Sequence, residues 1–175
     1  MENNKAFEKF PVWVPLLAWV LSLSIYGLGS YIFWLLYIPL TGAYILFCLW
    51  IEYRILRFSC VNCYYYGKTC GLGRGKLCAL LFKKGNPEKF VEKAISWKDL
   101  IPDFLVLIFP LVGGIIILIR DFKWLILVLM IILVILSIGG NAVIRGSFAC
   151  KYCKQKELGC SAEQLFNKGA KTAGS

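Results

Sequence analysis

The sequence predicts an all-α membrane protein. Four transmembrane helices form two tandem hairpin repeats, and a small cytoplasmic cysteine-rich module follows each hairpin. Three observations lead to this fold class. Residues 10–51 contain no charged side chain, a second long apolar stretch covers residues 100–144, and six of the eight cysteines form two identically spaced triads. The order of these features divides the chain into alternating membrane and cysteine-rich segments.

The first hairpin, with a short N-terminal tail, occupies residues 1–51. Its charge-free run of 42 residues is about twice the ~20 residues that one membrane-spanning helix needs. At ~1.5 Å per residue a single helix would extend about 63 Å, roughly twice the thickness of a bilayer core. We therefore expect the run to fold back on itself at Gly27-Leu28-Gly29-Ser30, because closely spaced glycines commonly mark turns.

The second hairpin occupies residues 100–144. It comprises the predicted spans Leu100–Ile119 and Trp124–Ile144, joined by a charged tip at residues 120–123. Away from the membrane surfaces these spans carry no ionisable acid or base, which disfavours an ion channel or a pump. Asn141 is expected to hydrogen-bond across the helix bundle.

The distribution of lysine and arginine predicts the orientation in the membrane. Of the 20 basic residues, two precede the first hairpin, ten lie in residues 52–103 and six in residues 145–175, which leaves two at the second hairpin tip. The positive-inside rule therefore places both termini and the segment between the hairpins in the cytoplasm. The net charge of +10 then reflects topology and attraction to anionic lipid headgroups, and no nucleic-acid partner is expected.

Two cysteine triads indicate an internal duplication. Both have the spacing C-x2-C-x6-C, each cysteine lies 90 residues from its counterpart, and a Leu-Phe-x-Lys-Gly string follows each triad. The triads are Cys60, Cys63 and Cys70, and Cys150, Cys153 and Cys160. Because each unit crosses the membrane twice, both modules should lie on one side and face each other about a pseudo-twofold axis. The modules are predicted at residues 52–86 and 145–169.

Three shorter segments complete the predicted organisation. Asn86 and Pro87 favour the start of a helix, and residues 87–99 are predicted to form an amphipathic helix at the membrane surface. Ser161 and Gln164 fit a capping box at the start of a short helix that ends near Gly169. Residues 170–175 are predicted to be a disordered tail.

The cytoplasmic cysteines point to metal binding or redox chemistry, because structural disulfides are rare in a reducing compartment. The chain contains no histidine, so a metal site must rest on thiolates, which favour zinc, copper(I) or an iron–sulfur cluster. Each triad is one ligand short of a tetrahedral site. The triads can pool six thiolates around two zinc ions with two bridging sulfurs, or Cys78 can complete a separate first site.

The local pattern of the second triad resembles half of a fungal binuclear zinc cluster. Besides the cysteine spacing, Lys154 and Lys156 lie within the motif and Ser161 follows it. The resemblance covers about a dozen residues per triad and implies two zinc ions held by six thiolates from two halves. Here 79 residues and two predicted spans separate the halves, so the DNA-reading role of that family does not carry over.

A set of basic residues accompanies the cysteines and is predicted to form a positively charged surface. It consists of Arg57, Lys68, Arg74, Lys76, Lys151, Lys154 and Lys156. These side chains either offset the negative charge of a thiolate cluster or serve only as the positive-inside signal. They could face anionic lipid headgroups or a protein partner on the cytoplasmic side.

Three functions follow from this sequence, and none requires a catalytic residue that we can name. The favoured hypothesis is an integral membrane protein whose thiolate–zinc module joins the two repeats and presents the basic surface. The first alternative is a membrane thiol redox or electron-transfer protein that uses C-x-x-C or an iron–sulfur cluster. The second is transport or handling of a soft metal, with Cys48 as a relay thiol in the second predicted helix.

Overall fold

The computed structural model of the protein describes residues 6–86, 97–158 and 160. All regular structure in these residues is helical, which confirms the all-α part of the prediction, and one isolated parallel bridge joins Phe7 to Cys153. The α-helices are α1 (Trp13–Leu36), α2 (Ile38–Phe58), α3 (Arg74–Leu81), α4 (Trp97–Arg120), α5 (Trp124–Val134) and α6 (Lys154–Leu158). A short 3-10 turn, Cys60–Asn62, follows α2.

Three helices among the described residues are long and apolar enough to cross a membrane: Trp13–Leu36, Leu100–Arg120 and Trp124–Ala149. The helix α2 is not one of them. Only its first 14 residues, 38–51, are free of charge before Glu52 is reached, and this run is shorter than the ~20 residues of one span. The structure therefore supports membrane association through three helices.

The corner of the first hairpin lies at Tyr37, so the turn predicted at Gly27–Ser30 is wrong. The helix α1 continues through those residues, and the Tyr37 backbone is extended, with φ −169° and ψ 123°. The Tyr37 N–H closes α1 by donating to the Phe33 carbonyl at 2.8 Å. Pro39 lies in the first turn of α2, where proline is well tolerated because its missing N–H has no helical partner there.

The glycines that suggested a turn serve helix packing instead. A Cβ added at Gly29 would meet the Tyr44 ring, with Cζ at 2.7 Å, whereas a Cβ at Gly27 would meet nothing within 4 Å. Gly29 therefore allows α1 and α2 to approach closely. The Tyr44 hydroxyl also donates to the Val106 carbonyl at 2.9 Å, which ties α2 to α4.

Four helices, including α1, contribute to the bundle core. Its buried members come from α1, α2, α4 and α5 and are Ile25, Ile32, Tyr44, Cys48, Ile51, Val106 and Leu133. Phe33 packs beside Gly113, and Leu21 beside Gly140. Both hairpins thus share one apolar core, which fixes where their ends emerge.

The last long helix departs from the α form after α5. It continues through π-helical turns at Ile135–Gly140 and Ile144–Ala149, with one α turn between them. Asn141 donates from Nδ2 to the Ser137 carbonyl at 2.9 Å, so the predicted hydrogen bond across the bundle is wrong. The helix extends to Ala149, and the second cysteine module begins directly at Cys150.

Several predictions concern residues outside the described part of the chain. They are most of the surface helix at residues 87–99, the capped helix after Ser161, the second Leu-Phe-x-Lys-Gly string and the tail at residues 170–175.

Candidate metal centre

The two cysteine modules lie at the same end of the helix bundle. Gly71 packs against Ala149 at the end of the last helix, and the rings of Trp13 and Phe148 meet edge to face at 5.3 Å. The start of α1, the loop after α2 and the end of the last helix therefore converge. We call residues 6–12, 59–86, 150–158 and 160 the cysteine pole.

An N-terminal strap, residues 6–12, contacts both modules. The Phe7 N–H donates to the Tyr152 carbonyl in the second module at 3.0 Å, and the Phe10 N–H donates to the Thr69 carbonyl in the first at 3.0 Å. The Phe7 ring also lies 5.1 Å from the Tyr152 ring. The strap is thus bonded on one side to each triad-bearing segment.

An aromatic cluster at the pole brings thiols from both triads together. Its buried members are Phe10, Val14 and Tyr65, and the partly buried residues packed against them include Cys63, Cys70 and Cys153. Two of these cysteines belong to the first triad and the third to the second. Cysteines of both triads therefore pack against one cluster at the interface between the modules.

Hydrogen bonds also join the modules directly. The Tyr65 hydroxyl donates to the Phe7 carbonyl at 2.5 Å and accepts from the Lys154 N–H at 2.9 Å. The Tyr64 N–H donates at 2.8 Å to the side-chain oxygen of Gln155, which is only 4% exposed. Because these groups have little access to water, losing a partner would leave a costly unsatisfied polar atom.

The cysteines of the first module occupy different local structures. Cys60 begins the 3-10 turn, and Cys63 follows it in extended backbone. The Cys70 sulfur accepts from the Gly75 N–H at 3.3 Å. Cys78 is fully buried in α3 and donates its S–H to the Leu56 carbonyl at 3.6 Å. Cys78 therefore holds α3 against α2 in this structure.

Burial keeps several pole thiols protonated. It raises the pKa of Cys60 and of Cys63 to about 12, and that of Cys153 to about 11. Neighbouring thiols add to this effect: for Cys63 they are Cys70 in its own triad, with Cys153 and Cys160 in the other. Thiol groups from both triads thus raise the pKa of Cys63. The Arg74 guanidinium opposes the rise in the pKa of Cys60.

The thiol set fits a soft metal chemically, but the side chains are not arranged as a finished site. All eight cysteines are free. Within residues 6–86, 97–158 and 160, no three cysteine, aspartate or glutamate side chains are grouped so that they could hold a metal ion. Five of the six predicted ligands are half-buried and Cys150 is exposed, so ligation would require these side chains to turn towards one another.

The predicted basic residues differ in their exposure and in the contacts that they make. Exposed side chains are Arg57, Lys76, Lys151 and Lys156. Lys68 and Lys154, one from each module, lie over the same Tyr64 ring at 4.0 and 5.4 Å from its centre. Lys154 also pairs with Glu8 of the strap at 3.2 Å. These cation–π contacts bring a lysine from each module to the same ring.

Arg74 differs from its predicted place on the basic surface. Its side chain is 12% exposed and forms two hydrogen bonds with the Glu52 carboxylate, at 2.7 and 2.5 Å. The Tyr26 hydroxyl donates to the same carboxylate at 2.7 Å. Arg74, Glu52 and Tyr26 therefore link α3, α2 and α1 at the pole. Sequence reasoning missed this link because Glu52 ends a charge-free run and so resembles an ordinary membrane-surface residue.

Comparison of the chain with protein families, with curated proteins and with solved structures finds no match in any of the three.

Proposed function

We propose that this chain is an integral membrane protein whose cysteine pole binds zinc through thiolates from both triads, so that the metal joins the two hairpins. The observation that carries this proposal is the packing of Cys63, Cys70 and Cys153 against one aromatic cluster. Two segments separated by 79 residues thus present thiols to one shared interface. Zinc, rather than a hard cation, follows from the all-sulfur donor set.

The proposed ligands are Cys60, Cys63, Cys70, Cys150, Cys153 and Cys160. Six thiolates would give each of two zinc ions four ligands if two sulfurs bridge. Cys63, which has thiol neighbours in both triads, is the best placed to bridge. Cys78 is an additional candidate, although ligation would break its bond to the Leu56 carbonyl.

The free energy of binding favours this arrangement. Closing a loop of about 80 residues costs roughly 4 kcal/mol, whereas structural zinc contributes about 10–16 kcal/mol near neutral pH. The strap and the hydrogen bonds between the modules already oppose loop opening. Zinc would therefore add stability to a pole that is partly assembled without it.

The topology of this proposal keeps α2 as a fourth membrane helix and the pole in the cytoplasm. Support comes from the packing of α2 in the shared bundle core and from the excess of basic residues at the end that carries the cysteines. Two zinc ions with six thiolates carry a net charge of about −2, which the pole lysines would offset. The exposed basic side chains would face anionic lipid or a cytoplasmic protein partner.

The thiol environment argues against a reactive redox pair, and a metal ion would have to displace the protons of the same thiols to be bound. Redox-active C-x-x-C cysteines typically have lowered pKa values, because the thiolate is the reacting form. Burial raises the pKa of Cys60, Cys63 and Cys153 instead. The soft-metal relay through Cys48 gains little support, because the described members of the buried core around it include no second cysteine.

Metal analysis of the purified full-length chain tests the proposal. We expect about two zinc ions per chain, from the ligand count of tetrahedral thiolate sites. Cys153→Ser should lower the zinc content and also speed alkylation of Cys63, because the shared site is lost. Cys48→Ser is the matched control and should leave both unchanged.

Two results would overturn the proposal. One is a chain that contains no zinc and whose pole thiols alkylate equally fast with and without added zinc. The other is full retention of zinc at the first triad when all three cysteines of the second triad are replaced by serine, which would mean separate sites. Comparing zinc content in Cys78→Ala then shows whether Cys78 completes such a site.

A further inference from the structure

A groove beside the start of α1 carries a second inference, which is independent of metal binding. It lies between the first turns of α1 and the loop that leads into α3, and its volume is about 230 Å³. Its lining residues are Val12, Pro15, Leu16, Trp19, Thr69, Gly73 and Lys76. The groove is mostly apolar, with a hydroxyl and an ammonium group as its polar side chains.

The apolar wall of the groove belongs to a helix that can cross a membrane. Val12 is 75% exposed and Leu16 is 62% exposed, although both are apolar. Since α1 begins at Trp13, these side chains lie where the helix would enter the bilayer. Trp19 is also exposed, and tryptophan is typical of this interfacial level. Lipid chains are thus the natural cover for this wall.

The polar end of the groove is positively charged. Lys76 is exposed on α3 and, within the part of the chain that the structure describes, forms no ion pair. Thr69 also lines the groove, and its carbonyl accepts a hydrogen bond from the strap. The ammonium and hydroxyl groups could bind a phosphate while the apolar wall of the groove contacts the acyl chain attached to it.

Gly73 holds the wall and the polar end in contact. Its φ of +75° is in the left-handed region, which glycine adopts without strain. A Cβ at this position would meet the Trp19 indole and approach Pro15 at 3.2 Å. The indole therefore lies directly on the loop backbone, and the groove is fixed by close packing.

We propose that this groove binds one anionic phospholipid, with an acyl chain along Leu16 and Trp19 and the phosphate at Lys76 and Thr69. The anionic class is favoured over a zwitterionic one because, among the described residues, Lys76 has no ion-pair partner and basic residues outnumber acidic ones in the segments that form the cysteine pole. The inference rests on two premises of the proposed function, that α1 enters a membrane at this end and that exposed basic side chains such as Lys76 face anionic lipid. It does not depend on zinc.

Fluorescence quenching in vesicles tests this site. The probe is the full chain with Trp19 retained and the other five tryptophans replaced by phenylalanine. It is placed in phosphatidylcholine vesicles that contain a small mole fraction of brominated phosphatidylglycerol or of brominated phosphatidylcholine. We expect stronger quenching of Trp19 by the brominated anionic lipid at equal mole fraction.

Charge variants separate a specific site from general surface attraction. Lys76→Gln should weaken the anionic preference about fivefold, which corresponds to about 1 kcal/mol for one lysine near the surface. Lys83→Gln removes the same charge from an exposed residue outside the groove and should have little effect. Equal quenching by the two brominated lipids, or equal losses in the two variants, would overturn the proposal.

A second measurement uses the unmodified chain. Native mass spectrometry after purification should detect one retained anionic phospholipid, and Lys76→Gln should reduce its occupancy. Zinc content is measured on the same samples. In the wild-type chain, absence of lipid with normal zinc counts against the groove alone, whereas absence of zinc with lipid retained counts against the metal centre alone. A wild-type chain that retains no anionic lipid would contradict the groove proposal.

Discussion

Replacing Arg74 by methionine tests how the cysteine pole is fastened to the helix bundle. Methionine keeps much of the side-chain volume but removes both hydrogen bonds to Glu52. The carboxylate is then left beside α1 with Tyr26 as its remaining donor, at 2.7 Å. Because Arg74 begins α3, the variant also releases the helix that carries Cys78 and follows Cys70.

The expected loss of stability is large for one side chain. Removing one partner of a buried ion pair costs about 3–5 kcal/mol. Arg74 is 12% exposed and Glu52 is 24% exposed, and Tyr26 still supports the carboxylate, so we expect about 3 kcal/mol, the lower end of that range. Lys123 and Asp121 at the hairpin tip pair at 3.0 Å but are 62% and 66% exposed. Lys123→Met should therefore cost only about 0–1 kcal/mol.

Unfolding in mixed detergent micelles, followed by circular dichroism, measures the free energy of each variant. A cycle with Glu52→Gln and the double variant isolates the coupling between the two side chains, which we expect to be about 2 kcal/mol. If Arg74→Met costs no more than Lys123→Met, the pair is as weak as an exposed one. The argument that it fastens the pole would then be refuted.

Three further predictions follow from the same contacts. Gly29→Ala should destabilise the protein by about 1–3 kcal/mol, because the added methyl group would overpack against the Tyr44 ring of α2. Gly27→Ala, which faces open space, should stabilise the protein by up to about 1 kcal/mol. Unfolding in detergent compares the two variants, and equal effects would contradict the packing. Tyr65→Phe should increase hydrogen exchange in both the strap and the second module, because it removes the hydroxyl that bonds to both. Tyr66→Phe should not, because the Tyr66 hydroxyl bonds within the first module. Unchanged protection in Tyr65→Phe would count against the role of the Tyr65 hydroxyl. Burial raises the pKa of Cys63 to about 12 from an ordinary value of 9.0. The stability of the metal-free chain should therefore fall between pH 9 and pH 12, because the unfolded chain loses this proton while the folded chain keeps it. Cys63 alkylation, followed by mass spectrometry, should accelerate over the same range, and a rate that levels off near pH 9 would show an unperturbed thiol.

The helical class of this fold could be predicted from the sequence because apolar run length is a strong signal. Runs at residues 10–51 and 100–144 are too apolar for anything but buried or membrane helices. The hairpin corner could not be found by the same reasoning, since Gly29 suits either a turn or a close helix contact. Pro39 was the better local signal, because proline favours the first turn of a helix.

The site was partly predictable for a different reason. Cysteine spacing identified the residues that lie at the pole, and their number and type suggested thiolate chemistry. The contacts that assemble the pole could not be read in this way. The Tyr65 hydroxyl, the Gln155 side chain and the backbone of Phe7 act over separations of 58 to 91 residues, and single residues of this kind leave no periodic pattern.

The strap also limits how symmetric the two proposed repeats can be. Pro11, 49 residues before Cys60, precedes α1 in non-helical backbone, whereas Pro102, 48 residues before Cys150, lies inside α4. The first repeat therefore has an extended segment that reaches across to the second module, and the second repeat has helix in the equivalent place. One strap fills the space between two modules, and a second copy at the related position would compete for the same aromatic cluster. In the proposed repeat, this difference leaves a single interface for the two modules, with Cys63 and Cys153 beside the strap that joins them.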